Sequence, residues 1–170
     1  MRQSSDWRTP LDVMQDHAVT ASEIVKAGFK WSYADQADRR LRTLAIGEPL
    51  IVNTDLTGGE GVHWVVLTRL PAGHVYLYDP LGPTNDRVTS DGTPSDLPYT
   101  HTYPYESQLS STGHCGYFAV YVARIIRRIA NQGRLTPLAM TNAIKAEFGR
   151  SADWGDAKRV AASGVAYAQH

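Results

Sequence analysis

VHWVVLTRLPAGHVYLYD, residues 62–79, decides the architecture of this chain. VHWVVLTRL is apolar almost without a break, so it predicts a strand covered on both faces. PAGH (71–74) has turn chemistry, and VYLYD (75–79) is a second β-rich run. Together they predict an antiparallel hairpin. Upstream, PLIVNT (49–54) is β-branched and apolar, and the glycine-rich TGGEG (57–61) marks a loop. Downstream, a polar stretch from 80 to 98 precedes YTHTYP (99–104), whose alternation predicts a third main strand.

The flanks of this sheet are helical in pattern. The first 45 residues contain few strand formers. Pro10 suits the first turn of a helix starting near Leu11, and Gly28 suits its end. A second helix is expected from about 33 to 44, with Ala37, Leu41 and Leu44 on one face. After Ser111, Thr112 and Gly113, CGYFAVYVARIIRRIA places Phe118, Val122, Ile125, Ile126 and Ile129 at helical spacing. Thr136 then caps a further helix with Pro137 at its first position and Gly149 at its end. A short helix is expected over 153–161. The pattern is α+β: a small mixed or antiparallel sheet flanked by helices. It fits one domain over 1–170, divided into a helical segment (1–45), sheet and loops (46–110), helices (111–161) and a tail (162–170).

Composition narrows the classes of function. Lysine plus arginine equals aspartate plus glutamate at 17 each. A neutral balance gives no global attraction to nucleic acid or acidic lipid. Two arginine clusters (Arg39, Arg40, Arg42 and Arg124, Arg127, Arg128) read as solvated helix faces. The single cysteine rules out an internal disulfide and leaves any zinc site to other ligands. No metal or cofactor is expected. MRQSSDWRTP lacks the apolar core of a signal peptide, and no apolar run is long enough to span a bilayer. The expectation is a soluble intracellular protein without a membrane partner.

A lone cysteine is more often inert core than reagent. Cys115, however, stands where the long apolar helix begins. Free backbone N–H groups and the helix dipole favour a thiolate there. Gly116 behind it permits close approach of another backbone or of a substrate. A nucleophilic thiol needs a base, and the base needs an orienting group. Of the six histidines, His63 opens the strand after the glycine-rich loop. Asp79 ends the partner strand. Both therefore fall at the open end of one hairpin, where a carboxylate can accept the imidazole Nδ1–H. Gln108 lies in the loop leading to Cys115, and its amide can donate to an oxyanion beside the Cys115 N–H.

GGEGVHWVVL, YLYDPLG and Q-x6-C-G-Y-F follow one another in the order His, acid, Gln, Cys. These segments, with IVNT upstream, resemble the adenovirus maturation protease family (adenain) and, more broadly, the adenain/Ulp1-type cysteine peptidases. The resemblance covers about residues 50–125. It implies that Cys115 is the nucleophile, His63 the base, Asp79 the orienting acid and Gln108 the oxyanion donor. Trp64 would line a narrow substrate channel with Gly116 at the substrate-binding position. Cleavage would fall near a Gly-containing motif. The implied activity is a cysteine endopeptidase that matures viral precursor proteins in the host cell and virion. Adenain carries glutamate at the acid position, where this chain has aspartate as in the Ulp1 group. Its activating peptide is tethered through a second cysteine, which this chain lacks. An activating peptide here would bind non-covalently, and activation by nucleic acid gains no support from the net charge.

Three other functions share parts of this set. A ubiquitin- or SUMO-like deconjugase has the same site with a different protein partner. A YopJ-type acetyltransferase uses a similar His–acid–Cys order and needs a basic pocket for coenzyme A. A catalytically silent structural or interaction protein could keep the fold without the chemistry.

Overall fold

A computed structural model describes residues 18–107 and 115–148. Five strands form one sheet: β1 (Lys30–Tyr33), β2 (Pro49–Asn53), β3 (Trp64–Arg69), β4 (Val75–Tyr78) and β5 (His101–Thr102), in that spatial order. The two central pairings, β2–β3 and β3–β4, are antiparallel, and the two outer pairings are parallel. The helices are α1 (Ala21–Lys26), α2 (Ala34–Thr43), α3 (Cys115–Asn131) and α4 (Pro137–Phe148). The architecture is α+β with a mixed sheet.

The unbroken apolar run of β3 has its reason in two cores. Val65 and Leu67 face one way with Leu50, Val52 and Leu77, against Ala34, Ala37, Leu41 and Leu44 of and beside α2. Val66 faces the other way with Ile51, Tyr76 and Tyr78, against the buried stripe of α3. Period-2 alternation therefore sorts apolar residues between two covers rather than between core and water. On the α3 side, α4 contributes Met140, Ile144 and Phe148, whose ring stacks on Tyr78 at 6.1 Å. The helix starts follow their caps. Thr20 and Glu23 close a reciprocal capping box on α1, and the Ala139 N–H donates to the Thr136 hydroxyl at 3.1 Å.

Three sequence expectations change. The first helix does not run on from Leu11: Thr20 is extended and α1 begins at Ala21, while residues 1–17 lie outside the described part. Gly28 does follow its end, at φ 92°. The first 45 residues also contain a strand. β1 has only Trp31, Ser32 and Tyr33 after Lys30, too short to show a period, and it is held by parallel pairing to β2. Finally, the expected strand over 99–104 contracts to the two residues of β5. Pro98 and Pro104 bracket that stretch, and proline has no N–H for a ladder. The Thr100 and Tyr103 amides still donate to Val75 O and Leu77 O. The expected helix over 153–161, and Gly149 as a helix end, lie outside the described residues.

Gly116 shows how tightly α3 meets the rest. A Cβ there would stand 2.5 Å from Val19 Cβ and 3.0 Å from Trp64 Cδ1. Gly116→Ala is therefore expected to cost about 1–3 kcal/mol through overpacking. Urea denaturation reads this directly, as a lower midpoint with an unchanged slope.

Candidate active site

His63 is positioned by the two chain segments around it. Its carbonyl accepts the Thr54 N–H at 2.9 Å, which continues the β2–β3 ladder by one residue. The loop before it is held from below by two buried side chains. Asn53 Oδ1 accepts the Asp55 and Val62 amides at 3.0 and 3.1 Å. The Asp55 carboxylate accepts the amides of Leu56, Gly61 and Ser90, at 2.9, 3.0 and 2.9 Å. The Ser90 bond outweighs burial and, with the others, holds the Asp55 pKa below the ordinary carboxylate value. Any side chain at Gly59 would strike that carboxylate, which accounts for a glycine at this point of the loop.

Asp79 follows β4 and meets His63 from the adjacent strand, with His63 Nε2 and Asp79 Oδ1 2.7 Å apart. The expected contact through Nδ1 is thus corrected. Nε2 faces the acid, because the ring reaches across the hairpin mouth with its distal edge. Asp79 receives three further donors: the Leu81 amide on Oδ1 at 2.9 Å, and Arg87 Nη1 and Asn85 Nδ2 on Oδ2 at 2.8 and 3.1 Å. The Asp79 side chain is fully buried and the Arg87 side chain nearly so. Arg87 arrives because the 80–98 loop folds back: Val88 O accepts the Thr54 hydroxyl, and the Ser95 hydroxyl donates to Thr54 O. Its other nitrogen, Nη2, donates to the Tyr99 hydroxyl at 3.1 Å.

Cys115 is the first residue of α3 and is partly exposed. Its side chain lies close enough to His63 to act on the imidazole, whose pKa it raises. The imidazole therefore lies between thiol and carboxylate. Burial alone pushes the His63 pKa down, but hydrogen bonds to Asp79 and Cys115 and the charge on both raise it from 6.5 to about 9. Burial likewise pushes Asp79 up, and the bonds from His63, Arg87 and Leu81 bring it below its usual value. The protonated ring therefore stabilises the fold fully below about pH 6.5, and that stabilisation disappears as pH rises through about 9. A shift of this size corresponds to about 3 kcal/mol. Urea denaturation from pH 6 to 10 is expected to show a loss of that order, spread between about pH 6.5 and pH 9 and levelling off above it. A stability curve flat across that interval would contradict the assigned pair.

A cleft of about 390 Å³ opens over these groups, lined among others by Trp31, Asn53, Glu60, His63, Trp64 and Cys115. Trp64 is buried, donates its indole N–H to Val19 O at 3.2 Å and meets Trp31 edge to face at 5.9 Å. Gly116 is not on the cleft wall. Its missing side chain makes room for the side chains of Val19 and Trp64, and for neither another backbone nor the cleft. Gln108 lies outside the described residues. Three of the six arginines in the two clusters pair with carboxylates, two of them on exposed helix faces. Arg127 bonds Glu48 at 2.6 Å and lies over the Phe29 ring, Arg128 reaches Glu147, and Arg42 pairs with Asp38. Among the described residues no group of three or more His, Cys, Asp or Glu side chains could hold a metal ion. No described helix is long and apolar enough to cross a membrane.

Sequence reasoning passed over Arg87, Asn85, Asn53 and Asp55. The first two lie in a polar loop without periodicity, and Asn53 was absorbed into the apolar run of β2. The remaining signal was chemical: an amide at the end of an otherwise wholly apolar strand. No protein-family model matches this chain, and no curated protein matches it.

Proposed function

We propose that this protein is a cysteine endopeptidase of the adenain type, with Cys115 as nucleophile, His63 as acid–base and Asp79 as orienting acid. The observation that carries this reading is one buried imidazole that is hydrogen-bonded to a buried carboxylate and interacts with the thiol at the first residue of α3. A structural cysteine requires none of these partners, whereas a nucleophile requires all of them.

The reaction is acyl transfer. The Cys115 sulfur attacks the substrate carbonyl carbon, forming a C–S bond. The resulting oxyanion is held by the Cys115 N–H and, on the resemblance to adenain, by Gln108. As the C–N bond breaks, the His63 proton passes to the leaving nitrogen. Water then attacks the thioester, His63 takes a proton from it, the C–S bond breaks, and the Cys115 thiolate and a carboxylic acid are released. His63 protonated up to about pH 9 keeps the general acid charged across the neutral range.

Trp31 and Trp64 pack edge to face in the cleft lining, and two bulky rings there favour a slender substrate, hence a peptide with glycine near the scissile bond. Maturation of viral precursor proteins is the biological setting implied by the family resemblance. The test is incubation with candidate precursor proteins from the same genome, followed by sequencing of new termini, with Cys115→Ala alongside. Cleavage by the wild type alone, next to glycine, is expected. Identical fragments from the Cys115→Ala protein would sink the proposal.

A further inference from the structure

Asn53 is the last residue of β2, directly opposite Trp64 in the antiparallel register. Its neighbours Leu50, Ile51 and Val52 are fully buried apolar residues, and Asn53 itself is only 5% exposed. A buried primary amide has donors and acceptors to satisfy, and leaving them unmet is costly. Its oxygen is satisfied twice, by the Asp55 and Val62 amides. Those two donors fix the orientation of the amide, because a rotated group would set Nδ2 against two N–H groups. Nδ2 is therefore held in one direction, and it has no hydrogen-bond partner among the described residues.

That direction is toward the cleft. Asn53 lines it together with Gly61, His63, Trp64 and Cys115. A Cβ at Gly61 would lie 2.9 Å from Nδ2 and would cover it. Gly61 has φ 98°, so the backbone conformation also favours glycine. The absent side chain leaves an oriented pair of N–H donors open beneath the loop, one strand away from the imidazole.

We infer that Asn53 is a substrate-binding residue, whose Nδ2 donates to a main-chain carbonyl of the peptide lying in the cleft. A carbonyl fits because Nδ2 offers only donors. A main-chain carbonyl fits because the approach past Gly61 is closed to bulk, and the slender part of a peptide is its backbone. The role rests on the peptidase reading of the same site. It adds a reason why extended, glycine-containing segments are selected: a side chain on the residue facing Gly61 would keep the backbone away from the buried donor.

The decisive variant is Asn53→Asp. It keeps the shape and the acceptor for Asp55 and Val62, but replaces the cleft-facing donor with an acceptor. Steady-state cleavage of a glycine-containing fluorogenic peptide library is measured for wild type, Asn53→Asp and Asn53→Ala. An increase in KM of at least about tenfold for Asn53→Asp is expected, the size of one hydrogen bond of about 1.4 kcal/mol. The His63 pKa is read by NMR in each protein. In Asn53→Ala, which adds no charge, it is expected to stay near the wild-type value while KM still rises. If the wild type cleaves and both variants keep its KM, Asn53 does not bind substrate, and the peptidase reading stands. If KM rises only in step with lost folded protein or a displaced His63 titration in Asn53→Ala, the role is structural and the inference falls. If the wild type cleaves none of the library while its folded state is intact, the peptidase reading falls and takes this role with it.

Discussion

Cys115→Ala is expected to bring peptide cleavage down to the buffer background, a loss of about 10⁴–10⁶-fold, by analogy with removal of a nucleophile that works as part of a unit. Little else should change. The residue is small, partly exposed and at the start of α3, where alanine is a strong helix former. The melting temperature should therefore move by no more than about 3 °C, equivalent to about 1 kcal/mol in a chain of this size. Cys115→Ser separates chemistry from shape. It is nearly isosteric, but the hydroxyl is not ionised beside the imidazole, so it should be almost as inactive as the alanine variant. The His63 titration, followed by NMR, should fall in both variants, because the Cys115 hydrogen bond and charge both raise it. Turnover within tenfold of wild type in Cys115→Ser would mean that the thiol is not the nucleophile.

The legibility of this site in the sequence follows from how each part is built. The hairpin was readable because strand, turn and strand are contiguous, and residues 62–79 carry all the information for their own pairing. His63, Asp79 and Cys115 were readable because each stands at the end of an element, where a side chain can leave the core. Which imidazole nitrogen meets Asp79 was not readable. It depends on the angle at which the ring crosses the hairpin mouth, which only the folded arrangement of the two strands fixes. β1 was missed because four residues with one lysine and two aromatics have no period of their own. Its strand character comes from β2 alongside it. Arg87 was missed for a related reason: the 80–98 loop is folded back by contacts with Thr54 and Asp55, more than thirty residues upstream.

Asp79 is the position where stability and activity are expected to fall together. Its carboxylate collects donors from His63, Leu81, Asn85 and Arg87, and no water-facing surface remains. Asp79→Ala leaves the Arg87 guanidinium buried without its counter-charge, which is expected to cost about 3–5 kcal/mol. The same change releases His63. With its Asp79 bond and charge gone and its burial kept, the ring pKa must fall from about 9. Cleavage at neutral pH should drop by about 10⁴-fold, the scale seen when an orienting acid is lost from a triad. Asp79→Asn is a sharper probe than it looks. All four groups around the carboxylate are donors, and an amide offers them only one acceptor oxygen. The charged Arg87 competes best for that oxygen, which turns the amide NH₂ toward His63 Nε2 and forces the opposite tautomer. Asp79→Asn should therefore be nearly as inactive as Asp79→Ala while recovering part of its stability. The double variant Asp79→Ala/Arg87→Leu removes the orphaned charge, so it should be more stable than Asp79→Ala alone and equally inactive. Urea denaturation and peptide cleavage on the same four proteins read both quantities. If the double variant were less stable than Asp79→Ala, Arg87 would not be the counter-charge of this acid, and the buried clamp would have to be assigned to another partner.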